Sequence, residues 1–133
     1  MAVIVDADVI IRGEREQLDL PRWLESQADE GPRLAAITIA ELWHGLERAT
    51  AAYKPRREAY LRMIVGNLQI LPYTGATALE HARLWAELES TGKMIGYYDL
   101  IVAATALEHG SPVATFNQRH FSKIRGLTII RPA

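Results

Sequence analysis

The sequence predicts an α/β fold in three layers, a mostly parallel central sheet with helices over both faces. Three observations lead there. Val3, Ile4 and Val5 form an unbroken β-branched run, which reads as a strand buried on both faces, as in a parallel sheet. Short apolar runs then alternate with longer stretches of helical spacing. From Leu100 to Leu107 the chain is apolar all round for two turns, so that helix must lie deep in the packing.

The elements follow in order. The first strand stops at Asp6-Ala7-Asp8. Asp is disfavoured inside strands and favoured at turns and caps, so both acids sit where the strand surfaces. There they serve equally well as caps for the next helical turn or as functional acids, because open α/β sheets bind ligands beyond the carboxyl ends of their strands. Residues 12–16 read as a polar connection. Asp19 is placed to cap a helix with Pro21 in its first turn and Trp23, Leu24 and Ala28 inside, ended by Gly31-Pro32. Residues 34–37 predict a second strand.

Thr38 and Glu41 then have the Thr-x-x-Glu spacing of a capping box, in which Glu41 need only bond a backbone N–H. The same position, in the first turn after a buried strand, also brings Glu41 to the sheet edge that holds Asp6. Residues 53–68 predict a helix, with Pro55 near its start and Tyr60, Leu61, Ile64 and Leu68 at helical spacing. Its Lys54, Arg56, Arg57 and Arg62 read as a solvated face rather than a phosphate site. Residues 69–72 form a short strand, at an edge because of Pro72. A helix begins at Thr77, contains Ala78, Ala82 and Trp85, and ends near Thr91-Gly92. Asp99 opens the buried helix, as a plain N-cap or as an anion shielded by a cation or a donor. Residues 112–115 predict a fourth strand, 116–121 a loop at its carboxyl end, and 127–130 a last strand followed by Pro132. Trp23 and Trp43 read as core residues.

At 133 residues, 49% of them hydrophobic, the chain suits a single globular domain, residues 1–133, with a real core. It has no Cys, which excludes a disulfide frame, a thiolate zinc site and a cysteine nucleophile. The strand at the start leaves no room for a leader, and no apolar run reaches membrane-spanning length, so a cytoplasmic protein is expected. The formal net charge of −1 gives no global pull toward nucleic acid; such binding would rest on local basic groups or on metal ions.

The fold brings acids together that no local motif would. Asp6 and Asp8 follow the first strand, Glu41 the second, and Asn117 the fourth, while Asp99 opens the helix before it. Clustered carboxylates repel, and a hard divalent cation, Mg²⁺ or Mn²⁺, is the usual remedy. The four His residues are scattered, and His120 reads as a loop or surface residue.

Four stretches, taken in order and spacing, resemble the PIN-domain endoribonucleases, and within them the VapC-type toxins of toxin–antitoxin pairs. They are Ile4-Val5-Asp6-Ala7-Asp8-Val9-Ile10, Thr38-Ile39-Ala40-Glu41-Leu42, Tyr98-Asp99-Leu100-Ile101-Val102-Ala103-Ala104 and Thr115-Phe116-Asn117-Gln118-Arg119-His120-Phe121. The resemblance covers nearly the whole chain. It implies a PIN-like fold and Asp6, Glu41 and Asp99 as the acids that bind Mg²⁺ or Mn²⁺ and carry catalysis. Asp8 or Asn117 would orient waters, and Thr38 and Thr115 would support the site. It also implies RNA cleavage by metal-activated water, a cognate antitoxin protein as partner, and a homodimer with no membrane association. In-line attack would leave 5′-phosphate and 3′-hydroxyl ends. Two departures stand out: Asn117 and His120 occupy positions where the family often has acids in the final loop, and Asp8 stands where it often has Asn or Ser.

Two other classes compete. Asp6-Ala7-Asp8-Val9 fits the opening of haloacid-dehalogenase-like phosphatases, which would make Asp6 a covalent nucleophile, with Lys93 the available lysine but no acidic companion for Asp99. A non-catalytic partner-binding domain with an acidic groove is the other. The RNA target, the cleavage site and the antitoxin are not readable from the sequence.

Overall fold

The computed structural model describes residues 2–27, 29 and 31–133. Its centre is β1 (Val3–Val5), whose three side chains are all buried. Strand side chains alternate between faces. Val3 and Val5 accordingly join one core, and Ile4 joins the other. This division of a three-residue strand sets the layers. On one face pack α1 (Ala7–Glu14), α2 (Leu20–Ser26) and α4 (Lys54–Gly66); on the other pack α5 (Gly75–Ser90), α6 (Tyr97–His109) and the short α7 (Gln118–Phe121). Helix α3 (Ala36–Glu47) spans both, with Leu42 and Leu46 in the first core and Ile37 against the second.

The sheet is five-stranded in the order β3-β2-β1-β4-β5, with β2 (Pro32–Ala35), β3 (Gln69–Leu71), β4 (Val113–Ala114) and β5 (Ile129–Ile130). Every pairing is parallel: Ile4 is in register with Arg33 on one side and with Val113 on the other. The parallel sheet with two helical layers is as the sequence predicts, and β3 is an edge strand as Pro72 requires.

Four local readings change. Residues 12–14 belong to α1 rather than to a connection, and the chain turns only at Arg15. Gly13 there marks a close approach, not a break: a Cβ on it would lie 2.7 Å from the Cβ of Leu20 and 2.7 Å from the Tyr60 hydroxyl, which donates to the Ile10 carbonyl at 2.8 Å. Strand β2 begins at Pro32 and ends at Ala35, two residues early, so α3 starts at Ala36 and Thr38 is inside it. The capping box is therefore absent; Ala35 is the N-cap, with no side-chain bond. Helix α5 starts at Gly75, and Thr77 forms instead the inner half of a reciprocal cap with Thr74. Residues 118–121 are helical rather than loop, and this turn has consequences below.

Asp19 caps α2 through the Arg22 N–H, as expected. Trp23 is in the core and Trp43 packs against it, while Ala28 lies outside the described residues. The basic face of α4 is solvated and paired: Arg57 with Glu14, Arg62 with Glu58 and Lys54 with Glu47.

Candidate active site

The chain leaves β1 at Val5 and turns into α1 at once, so Asp6 is both the strand's last step and the helix's N-cap. Its side chain is 4% exposed. Oδ1 accepts from the Ala7 N–H at 2.9 Å, and Oδ2 accepts from the Thr115 hydroxyl at 2.8 Å. Both readings of Asp6 thus hold together, a cap and an acid at the sheet edge. Asp8, one step on, accepts from the Phe116 N–H at 3.1 Å. The Thr115 hydroxyl also lies 3.3 Å from Asp8, but it has one hydrogen, and the shorter contact to Asp6 takes it. Thr115 completes its bonding by accepting from the Asn117 N–H at 2.9 Å. The end of β4 therefore ties both acids of the β1 end.

Glu41 arrives from α3, one turn beyond Thr38. Its Oε1 is buried without a hydrogen-bond partner among the described residues, and so is Oγ1 of Thr38. With the capping box gone, Glu41 has no structural duty that explains its burial. Asp99 is the third residue of α6; Gly96 is the N-cap, so Asp99 is not a plain cap either. Its Oδ2 meets Nδ1 of His120 at 3.0 Å.

His120 is the residue that sequence reasoning missed. The α7 turn places it three residues from Asn117, whose amide nitrogen lies 2.9 Å from the same Nδ1. A ring nitrogen either donates or accepts. The carboxylate of Asp99 requires it to donate, and the Asn117 NH₂ requires it to accept, so the two compete for one atom. The readable signal was the spacing of Asn117 and His120, three apart and therefore neighbours on any helical turn.

Electrostatics bind the acids into one site. Burial pushes Asp6 up to about 7, with the charges of Asp8, Asp99 and Glu41 adding to it and the Thr115 bond opposing. Burial pushes Glu41 up to about 7 as well, helped by Asp99 and Asp8. Asp8 is raised by burial and by Asp99, against the Phe116 and Thr115 bonds and the Arg12 charge. Among the described residues, no three acidic or histidine side chains converge tightly enough to enclose an ion as they stand. Mutual repulsion is a sufficient reason for that spacing. The donor set is nonetheless all oxygen around Asp6, Asp8, Glu41 and Asp99, with one orphaned carboxylate oxygen, which suits a hard divalent cation rather than a soft one.

The comparisons with known proteins agree along the whole chain. The PIN domain model matches residues 3–127. A VapC ribonuclease of Sinorhizobium fredii is 33% identical over 138 residues, covering 98% of this chain and 96% of that protein. A VapC ribonuclease of Rickettsia felis is 30% identical over 132 residues, with the same coverage of 98% and 96%. The crystal structure of DNA-bound VapBC from Salmonella typhimurium superposes with a TM-score of 0.88 at 26% identity, covering 98% of this chain and 97% of that one. The phosphatase reading falls away with these matches. The chain belongs to the PIN-domain family and, within it, to the VapC ribonucleases.

Proposed function

We propose that this chain, acting as one nuclease unit over residues 1–133, is an Mg²⁺- or Mn²⁺-dependent endoribonuclease and the toxin of a toxin–antitoxin pair. The observation that supports it most is the mutual repulsion of Asp6, Asp8, Glu41 and Asp99 at one sheet edge, with the orphaned Glu41 oxygen among them. Asp6, Glu41 and Asp99 would hold the cation, which would supply activation of water near neutral pH and neutralisation of charge on the phosphate.

The chain's own residues do the rest. Thr115 orients Asp6 and opposes its protonation, and the Phe116 N–H does the same for Asp8. Thr38, buried beside Glu41 on the same helix, offers its hydroxyl to the site. Asn117 governs how tightly His120 holds Asp99. The products are a 5′-phosphate and a 3′-hydroxyl, with no part for the 2′-hydroxyl.

The Salmonella relative is a VapBC assembly on DNA. By extension an antitoxin protein is the inhibitor here, the toxin is a homodimer, and RNA as substrate places it in the cytoplasm. Among the described residues no helix is long and apolar enough to cross a membrane. Purified protein incubated with structured RNA, with Mg²⁺ and with EDTA, tests the reading. The expected result is EDTA-sensitive cleavage with 5′-phosphate ends. Metal-independent cleavage, or 2′,3′-cyclic ends, would overturn it.

A further inference from the structure

Two arginines share one aromatic ring beside the acid cluster. Arg12, in the last turn of α1, holds its guanidinium carbon 4.1 Å from the centre of the Phe116 ring. Arg131, one residue past β5, holds its own 5.0 Å from the same centre. Phe116 sits between Thr115 and Asn117, and its N–H is the donor to Asp8, so the ring is fixed to the site by its own backbone. Arg12 acts on Asp8 through its charge, but neither guanidinium has a carboxylate at ion-pair distance or a hydrogen-bond acceptor among the described residues, whereas Arg57, Arg62 and Arg83 are each held by glutamates.

Two cations within 5.0 Å of one ring centre repel each other, and an anion held by both relieves that. Guanidinium forks match phosphate oxygens, often in pairs of bonds. Guanidiniums already over the ring compete with a nucleobase for it, which favours a backbone phosphate as the ligand. There is also a need for such a site. A polyanion must approach a cluster of carboxylates on a chain whose formal net charge is −1, so attraction has to be local.

We propose that Arg12 and Arg131, braced on Phe116, form a subsite for a phosphate of single-stranded RNA adjoining the one that is cut. The subsite rests on the ribonuclease reading above. Phosphate contacts set register and affinity without reading sequence, so this one positions RNA and does not choose its bases.

The test is fluorescence anisotropy of a short labelled single-stranded RNA in EDTA over a KCl series, with cleavage in Mg²⁺ measured separately. Arg12→Gln and Arg131→Gln should each weaken binding, and the double variant should lower the slope of log Kd against log salt by about 0.7, the single-strand value for one phosphate contact. Arg12→Lys keeps the charge but loses the planar fork, and should retain the slope. Unchanged affinity and slope in both Gln variants would overturn the subsite, whether or not the wild type cleaves. Loss of the slope in Arg12→Lys as well would also overturn it, since that is what a purely structural stack predicts. Wild type that binds with the expected slopes yet never cleaves would sink the nuclease reading and leave the phosphate site standing. Wild type that neither binds nor cleaves would sink both.

Discussion

The Thr115 hydroxyl donates to Asp6 at 2.8 Å across 109 residues of chain, closing the end of β4 onto the end of β1. It opposes a carboxylate that burial and three neighbouring acids push toward protonation. Thr115→Val keeps the shape and removes the donor, so Asp6 should rise further. Metal binding needs the ionised acid. The acid limb of Mn²⁺ affinity against pH should therefore move to higher pH in the variant. A limb that stays in place would mean that Thr115 does not govern Asp6.

The same shifts fix how the metal-free protein responds to pH. Asp6 and Glu41 are pushed up to about 7 from ordinary values of 3.8 and 4.5. Between about 4 and about 7 the folded chain holds protons that the unfolded chain has released, so stability falls as pH rises through that window. Urea unfolding in EDTA should show this decline, and Glu41→Gln should flatten it. Above the window Glu41→Gln should be the more stable protein, by on the order of 1 kcal/mol, the scale of charge interactions near a surface. A destabilised Glu41→Gln would restore a purely structural role for that residue.

Divalent cation should reverse the penalty. A ligand at 100 times its Kd stabilises by about 2.7 kcal/mol. Wild type should thus gain thermal stability with Mn²⁺, and Asp99→Asn should lose most of that gain. Asn117→Asp adds a charge and a second acceptor for Nδ1 of His120, which loosens the hold of His120 on Asp99. Calorimetry should find tighter Mn²⁺ binding in that variant; weaker binding would place Asn117 outside the metal's surroundings.

Gly13 sets two rules against each other. Ala in a helix interior is ordinarily better than Gly by roughly 1 kcal/mol. Here the added Cβ meets Leu20, 1% exposed, and the Tyr60 hydroxyl at 2.7 Å. Overpacking of this kind costs about 1–3 kcal/mol and also strains the Tyr60 bond to Ile10. We expect Gly13→Ala to be destabilised in urea, and a gain in stability would refute the close contact.

The sheet and its order of elements were legible because parallel strands are short apolar runs, and Val3-Ile4-Val5 needs no context to read as buried. Asp6 and Asp99 each stay open in the sequence between a helix cap and a functional acid, because Asp suits both; only the folded chain brings them to one sheet edge. Glu41 was harder: Thr-x-x-Glu spacing is a real capping signal, and only the early start of α3 at Ala36, set by where β2 ends, removes it. Residues 12–14 read as part of a polar connection because the close packing at Gly13 leaves no trace in local propensity. His120 is marked only by the resemblance, at a position where the family often has an acid; its contact with Asp99, 21 residues away, depends on a turn of α7 that reads as loop.

The strand order has a consequence for the timing of synthesis. β1 is made early, yet its second neighbour, β4, is residues 113–114, and the donor to Asp6 is Thr115. Synthesis runs from the N-terminus at roughly 5–20 residues per second, so Asp6 waits several seconds for its partner. Glu41 likewise waits for Asp99. A nascent chain that ends before Thr115 contains the acids Asp6, Asp8, Glu41 and Asp99 without the strand that gathers them. The acid cluster therefore cannot take its final form on a nascent chain before Thr115 has been added.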